Sequence, residues 1–278
     1  MKARIKNFFS KTFGINPEKL TGELSDLEKL AQYGFENFGT FNDEDVFIIG
    51  YPKSGNTLLQ HIVAHLVYGL RNDAPKSLIN SCVTEFYNNP VFFRHDKRHF
   101  FKSHELPKKE FKKVIYIIRD GRESIRSYYY MRKNLNEKAS LDEMYLSGGD
   151  SFVGTWNNHL AMWHKNPYNA SILYLKYEDL IKDKTTEILK ICNFLNLERS
   201  KEDIVKVFDA TSFENMKKME NSYSWQVVRS YRTWKKEGSF VREGKTSGFK
   251  KDKAVNDSSL KQFVELSKQM LTHYGYLK

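Results

Sequence analysis

DVFIIGYPKSGNTLLQHIVAHLVYGL, residues 45–70, reads as a strand, a loop and a helix in immediate succession. The apolar run after Asp45 ends at Gly50, as a buried strand does. From residue 56 to 70 the apolar residues recur at helical spacing. Gly50 and Gly55 let the backbone between them turn tightly, so that successive N–H groups face one anion. The helix start adds a partial positive charge, Lys53 a full one, and Ser54 and Thr57 bring hydroxyl donors. The pattern is almost the phosphate loop GxxxxGK[ST], but Asn56 fills the lysine slot and the lysine sits in mid-loop. The magnesium machinery of a nucleotide triphosphatase looks absent too, because the next strand ends in Arg119 before Asp120. These residues describe a metal-independent cradle for a phosphate or a sulfate.

The same strand-then-helix order repeats downstream. Residues 112–120, KKVIYIIRD, predict a second buried strand and 122–134 a helix. A third strand is predicted over 172–180, with helices over 185–197, 201–211 and 259–276. Such alternation predicts an α/β fold: a single P-loop-like domain, 1–278, with a central parallel sheet flanked by helices on both faces. Residues 1–40 read as a helical or flexible lead-in, and 236–253, rich in glycine, serine and charge, as a cofactor-covering loop. Ligands of parallel sheets lie at the carboxyl ends of strands, so chemistry is expected just after residues 50, 119 and 177.

Composition narrows the partners. Lys plus Arg is 45 against 34 Asp plus Glu, a formal +11 that favours an anionic ligand. The basic residues are scattered rather than gathered in one arm, which argues against nucleic acid. No stretch approaches the roughly 18 apolar residues of a membrane span. The basic start MKARIKNFFSK lacks the apolar run of a signal peptide, so a cytoplasmic protein without stable membrane insertion is expected. Cys82 and Cys192, the only cysteines, make no disulfide framework or zinc site. His61 and His65 share a helix face, but with no third ligand in view they do not read as a metal pair.

Further segments stand in a familiar order. After YPKSGNT (51–57) come FKSHELP (101–107), VIYIIRDGRESIRSYYY (114–130), GTWNNHLAMW (154–163), LYLKYEDL (173–180), TSFENM (211–216) and FVREGKTSGFK (240–250). The series resembles the cytosolic sulfotransferase family, which transfers a sulfuryl group from 3′-phosphoadenosine 5′-phosphosulfate (PAPS) and leaves adenosine 3′,5′-bisphosphate. The resemblance runs from about residue 43 to 250. It implies PAPS as the cofactor, with no metal. It places Lys53, Ser54, Gly55, Asn56, Thr57 and Leu58 on the phosphosulfate loop and Arg119 and Ser127 on the 3′-phosphate. Tyr177, Thr211, Ser212, Phe213 and Met216 fall on nucleotide-contacting positions, and Arg242, Glu243 and Gly244 on the loop that closes over the cofactor. Departures are specific: Glu243 stands where the family has lysine, Leu58 where it often has tryptophan, and Ser247-Gly248-Phe249-Lys250 where it has Gly-Asp-Trp-Lys. The family's dimer motif survives only as Lys250…Ala254-Val255…Ser259, so a monomer or weak homodimer is expected.

The chemistry asks for these residue types. Transfer of SO₃ between two oxygens builds charge on the leaving phosphate, which cations and N–H groups can take up without a metal. Lys53 is the candidate cation for the leaving group, and Lys102 for the transferring sulfuryl oxygens. His104 is the candidate base that removes the acceptor's proton. Arg119 offers a planar fork to the 3′-phosphate, with a salt bridge to Glu123 as its other reading. Arg122 and Arg126 are expected to face solvent. Aromatics at Phe86, Tyr87, Phe92, Phe93, Phe100 and Phe101 line an acceptor pocket or fill the core. Residues 136–153 and 218–240 read as substrate-covering loops. The expected partner is a small molecule or glycan presenting a hydroxyl, with an amine the lesser alternative. A P-loop-like kinase and a non-catalytic binder of adenosine 3′,5′-bisphosphate are the competing readings.

Overall fold

The computed structural model describes residues 31–86, 91–94, 96–135, 138–149, 151–222 and 248–277. In chain order the strands are β1 (Phe35–Asn37), β2 (Val46–Ile49), β3 (Val83–Glu85), β4 (Val91–Phe93), β5 (Phe100–Ser103), β6 (Lys113–Ile118) and β7 (Ser171–Lys176). The helices are α1 (Asn56–Tyr68), α2 (Lys76–Cys82), α3 (Gly121–Asn134), α4 (Leu141–Leu146), α5 (Trp156–Lys165), α6 (Tyr177–Lys182), α7 (Lys184–Leu195), α8 (Lys201–Ala210), α9 (Phe213–Ser222) and α10 (Asp257–His273). Five strands form one parallel sheet in the order β3-β5-β2-β6-β7, and β1 and β4 form a separate antiparallel ribbon. No helix among the described residues is long and apolar enough to cross a membrane.

Period-two alternation sends each strand's side chains to opposite layers. Val46 and Ile48 of β2 and Ile115 and Ile117 of β6 meet α1, α2, α7 and α8 on one face. Phe47 and Ile49, with Val114, Tyr116 and Ile118, meet α3, α5 and α10 on the other. Both faces are therefore covered by helices, as the sequence predicts, and β2 and β6 read as unbroken apolar runs for that reason.

Two expectations are corrected. The third strand stops at Lys176, because Tyr177 opens α6, with Glu178 and Asp179 in its first turn where the helix dipole favours acids. A strand the sequence reading did not predict, β5, lies between β3 and β2, and Lys102 is tolerated there because Glu85 faces it in the register. Residues 141–146 are helical, with Leu141, Met144 and Tyr145 buried, so part of 136–153 is core and not covering loop. Phe86, Phe92, Phe100 and Phe101 are buried, three of them in a cluster of rings with Phe38, Phe41, Phe47 and Phe111, while Phe93 is exposed.

Candidate active site

The cradle sits where β2 gives way to α1, at the carboxyl edge of the sheet's central strand. Its turn is built from two left-handed backbones: Lys53 at φ 67° and Gly55 at φ 112°. A Cβ on Gly55 would lie 2.8 Å from the Tyr177 ring and 2.9 Å from Ile117, so only glycine fits there. The Asn56 amide donates to Gly50 O at 3.3 Å and to Ser103 O at 3.2 Å, tying the ends of β2 and β5 together. That explains asparagine in the lysine slot: the position is buried beneath the loop and serves its closure. Ser54 is buried and bonds Ser124 of α3 across 3.2 Å between hydroxyls, which fixes the loop's far side.

His104 follows β5 directly. Its Nδ1 lies 2.7 Å from Gly50 O, which can only accept, so Nδ1 carries the proton and Nε2 keeps its lone pair. Burial, reinforced by the Lys102 charge, lowers its pKa to about 3. The ring is therefore neutral across the physiological range. A second histidine braces it: His159 Nε2 lies 3.0 Å from His104 O, and Tyr116 Oη lies 2.7 Å from His159 Nδ1. The exposed Phe152 ring stands edge-on to His104, 6.4 Å between centroids.

Lys102 reaches from β5 towards α1. Its Nζ donates to Thr57 Oγ1 (3.0 Å), Gln60 Oε1 (3.2 Å) and Glu85 Oε1 (2.6 Å). On the other flank, Arg119 closes β6. It donates to Lys53 O at 3.2 Å, lies 4.4 Å above the Tyr177 ring and stands 3.9 Å from Glu123. Arg119 thus pairs with Glu123, the alternative the sequence offered, and at the same time abuts the cradle through Lys53 O. Burial raises the Tyr177 hydroxyl's pKa.

Lys53, Ser54, Gly55, Asn56, Thr57, Lys102, His104, Arg119 and Tyr177 are thus brought into one connected cluster. Ser127 lies one turn beyond Ser124 on α3, partly exposed. Leu58 packs on the α1 face of the core. Thr211, Ser212, Phe213 and Met216 sit at the α8–α9 junction, bonded within it and to Lys184 of α7. Thr211 accepts from Lys184 and donates to Val207 O, Ser212 accepts from Asn215 N–H, Met216 is buried and Phe213 is exposed. Arg242, Glu243 and Gly244, with Tyr87 and residues 236–247 of the covering loop, lie outside the described residues. Arg122 and Arg126 do not face solvent. Arg122 pairs with Asp120 two residues away and stacks on Phe249, and Arg126 is buried between Glu123, one turn back on α3, and the distant Asp252, so each charge is held by one near and one far partner. Sequence reasoning missed Glu85, Gln60 and Ser124. Only the β3–β5 register and the approach of α3 to the loop reveal them.

No group of three or more His, Cys, Asp or Glu side chains suited to a metal occurs among the described residues. The donor set, the cations Lys53, Lys102 and Arg119 with amides and hydroxyls at a helix start, fits a bisphosphorylated nucleotide and its sulfuryl group.

Comparison with known proteins agrees in sequence and in fold. The family model described as sulfotransferase domain matches residues 43–275. An amine sulfotransferase of Oryctolagus cuniculus is 30% identical over 268 residues, covering 88% of this chain and 85% of that protein. A 3-alpha-hydroxysteroid sulfotransferase of Cavia porcellus is 32% identical over 214 residues, 69% of this chain and 72% of that one. Among solved structures, retinol dehydratase in complex with androsterone and the inactive cofactor PAP superposes with a TM-score of 0.65 at 21% identity, over 83% of this chain and 81% of that one. A mouse sulfotransferase complexed with PAP gives 0.59 at 22%, over 83% and 84%.

Proposed function

The chain belongs to the sulfotransferase family, and from that premise we propose how its own residues carry the transfer and what it acts on. It is a sulfotransferase enzyme. The donor is PAPS, which when bound supplies the sulfuryl group and a good leaving phosphate. The acceptor is a hydroxyl of a small molecule or glycan, with an amine as the lesser alternative. The observation that carries this reading is the junction of β2 and β5, where one carbonyl, Gly50 O, orients the base His104 while the loop it opens presents Lys53.

Lys53 and the loop N–H groups take up negative charge on the leaving phosphate as the S–O bond breaks. Lys102 places a second positive charge beneath the same point. His104 Nε2 accepts the acceptor's proton as the new O–S bond forms, with Nδ1–H held on Gly50 O throughout. Arg119, with Ser127 from α3, meets the 3′-phosphate, and Tyr177 backs Arg119 with its ring. Thr211, Ser212, Phe213 and Met216 take the adenine side, and Arg242, Glu243 and Gly244 the covering loop.

The test is transfer of labelled sulfate from PAPS to a panel of phenols, alcohols, sugars and amines in EDTA. Lys53→Ala and His104→Ala are expected to lose turnover, His104→Ala by about 10²–10⁴. A requirement for magnesium, or binding of the bisphosphate without turnover on any acceptor class, would count against the enzyme proposed here.

A further inference from the structure

Lys102 is a buried cation with three N–H donors, and all three are engaged: by Thr57, by Gln60 and by Glu85. No N–H is left over to reach a transferring sulfuryl oxygen directly. What Lys102 does touch is Thr57 Oγ1, at the first turn of α1 and inside the cradle. A hydroxyl that accepts from an ammonium has its own proton turned away from that ammonium.

The third ligand of Lys102 comes from outside the loop altogether. Glu85 ends β3 and stands opposite Lys102 in the parallel register, on the sheet face that carries α1. Gln60 cannot substitute for it. Its amide nitrogen is already spent on Asn80 Oδ1 and Val83 O, and its oxygen on Lys102. Among the described residues, Glu85 is the charged anchor that fixes where the ammonium sits.

We propose that Glu85 is a positioning residue of the donor site, holding Lys102 against Thr57 so that the Thr57 hydroxyl proton points into the phosphosulfate loop. This rests on the donor assigned above. Lys102 then serves the reaction through Thr57 and through its field, and Glu85 sets that geometry without touching the donor.

The test is calorimetric binding of adenosine 3′,5′-bisphosphate to the purified full chain. Glu85→Leu is expected to bind about tenfold more weakly, the scale of one hydrogen bond to a charged group. Glu85→Gln keeps an acceptor oxygen at the same place and is expected to stay within about twofold of the parent. Thr57→Val is expected to fall as far as Glu85→Leu, and the double variant no further than the weaker single one, because both break one contact. Glu85→Ala makes the same comparison should the leucine variant fail to fold. The proposal is overturned if Glu85→Leu binds as well as or better than the parent, if Glu85→Gln is as poor as Glu85→Leu, or if the two losses multiply. A parent that folds but takes up no bisphosphate overturns the donor assignment itself.

Discussion

Lys53 holds a backbone conformation that costs a side-chain-bearing residue about 1 kcal/mol or more. Glycine would rest there freely, so the position trades stability for an ammonium in mid-loop. Lys53→Gly is expected to be more stable than Lys53→Ala by about 1 kcal/mol in urea unfolding, while both lose donor binding. Gly55 is the opposite case, since its Cβ position is occupied by Tyr177 and Ile117. Gly55→Ala should push Arg119's aromatic support aside and weaken bisphosphate binding in the same calorimetric assay. At His104 the free-enzyme pKa of about 3, set first by burial, lies far below the ordinary imidazole value. The acid limb of kcat/KM should accordingly fall well under pH 6, and a limb near 6.5 would mean the ring is solvated in the working enzyme. The loop's chemistry was legible in the sequence because glycine, lysine and hydroxyls lie within seven residues. The proton arrangement on His104 was not, because its partner is a carbonyl 54 positions away.

Between elements, the turn at 248–251 is fastened to α3. Phe249 N–H donates to Glu123 Oε1 at 2.6 Å, Arg126 pairs with Asp252, and Tyr130 donates to Asp252 Oδ1 at 2.8 Å. Glu123 thereby joins Arg119 on the cradle side to the 248–251 turn on the other. Removing Asp252 takes the carboxylate from the buried Arg126 Nε, and Asp252→Ala should lower stability by about 2 kcal/mol, read as a lower thermal midpoint. Helices α1, α3, α7, α8 and α10 and the strands β2 and β6 were readable from their apolar patterns. Short strands such as β3 and β5 were not, because a lysine and a glutamate break their apolar pattern, and only their pairing across the sheet removes the conflict. Arg122 and Arg126 were misread as solvent-facing because, beside the nearby Asp120 and Glu123, each is covered by a partner far along the chain, Tyr276 and Asp252.

For the molecule as a whole, acid is the vulnerable direction. His61 and His104 are held near about 3 and His159 near about 4, and His65 is lowered too, in each case chiefly by burial. An unfolded chain protonates all four near pH 6.5. Their contribution to stability is present above that value and is lost as the pH falls towards 4 and 3, because unfolding takes up protons there. The unfolding free energy from urea titrations should therefore drop between pH 6.5 and 5, by up to roughly 1.4 kcal/mol per pH unit for each of His61, His104 and His159, and a flat profile would contradict their burial. The α/β class and both helical layers were legible at this scale, while the ribbon of β1 and β4 was not, since each strand is too short to show a period. The five-stranded sheet carries one more consequence. Parallel neighbours are never made by a local hairpin, so every ladder must wait for distant stretches of chain to meet. Refolding from denaturant should be slow, governed by high contact order, and the transiently unpaired strands make dilute, chaperone-assisted conditions the route to active material.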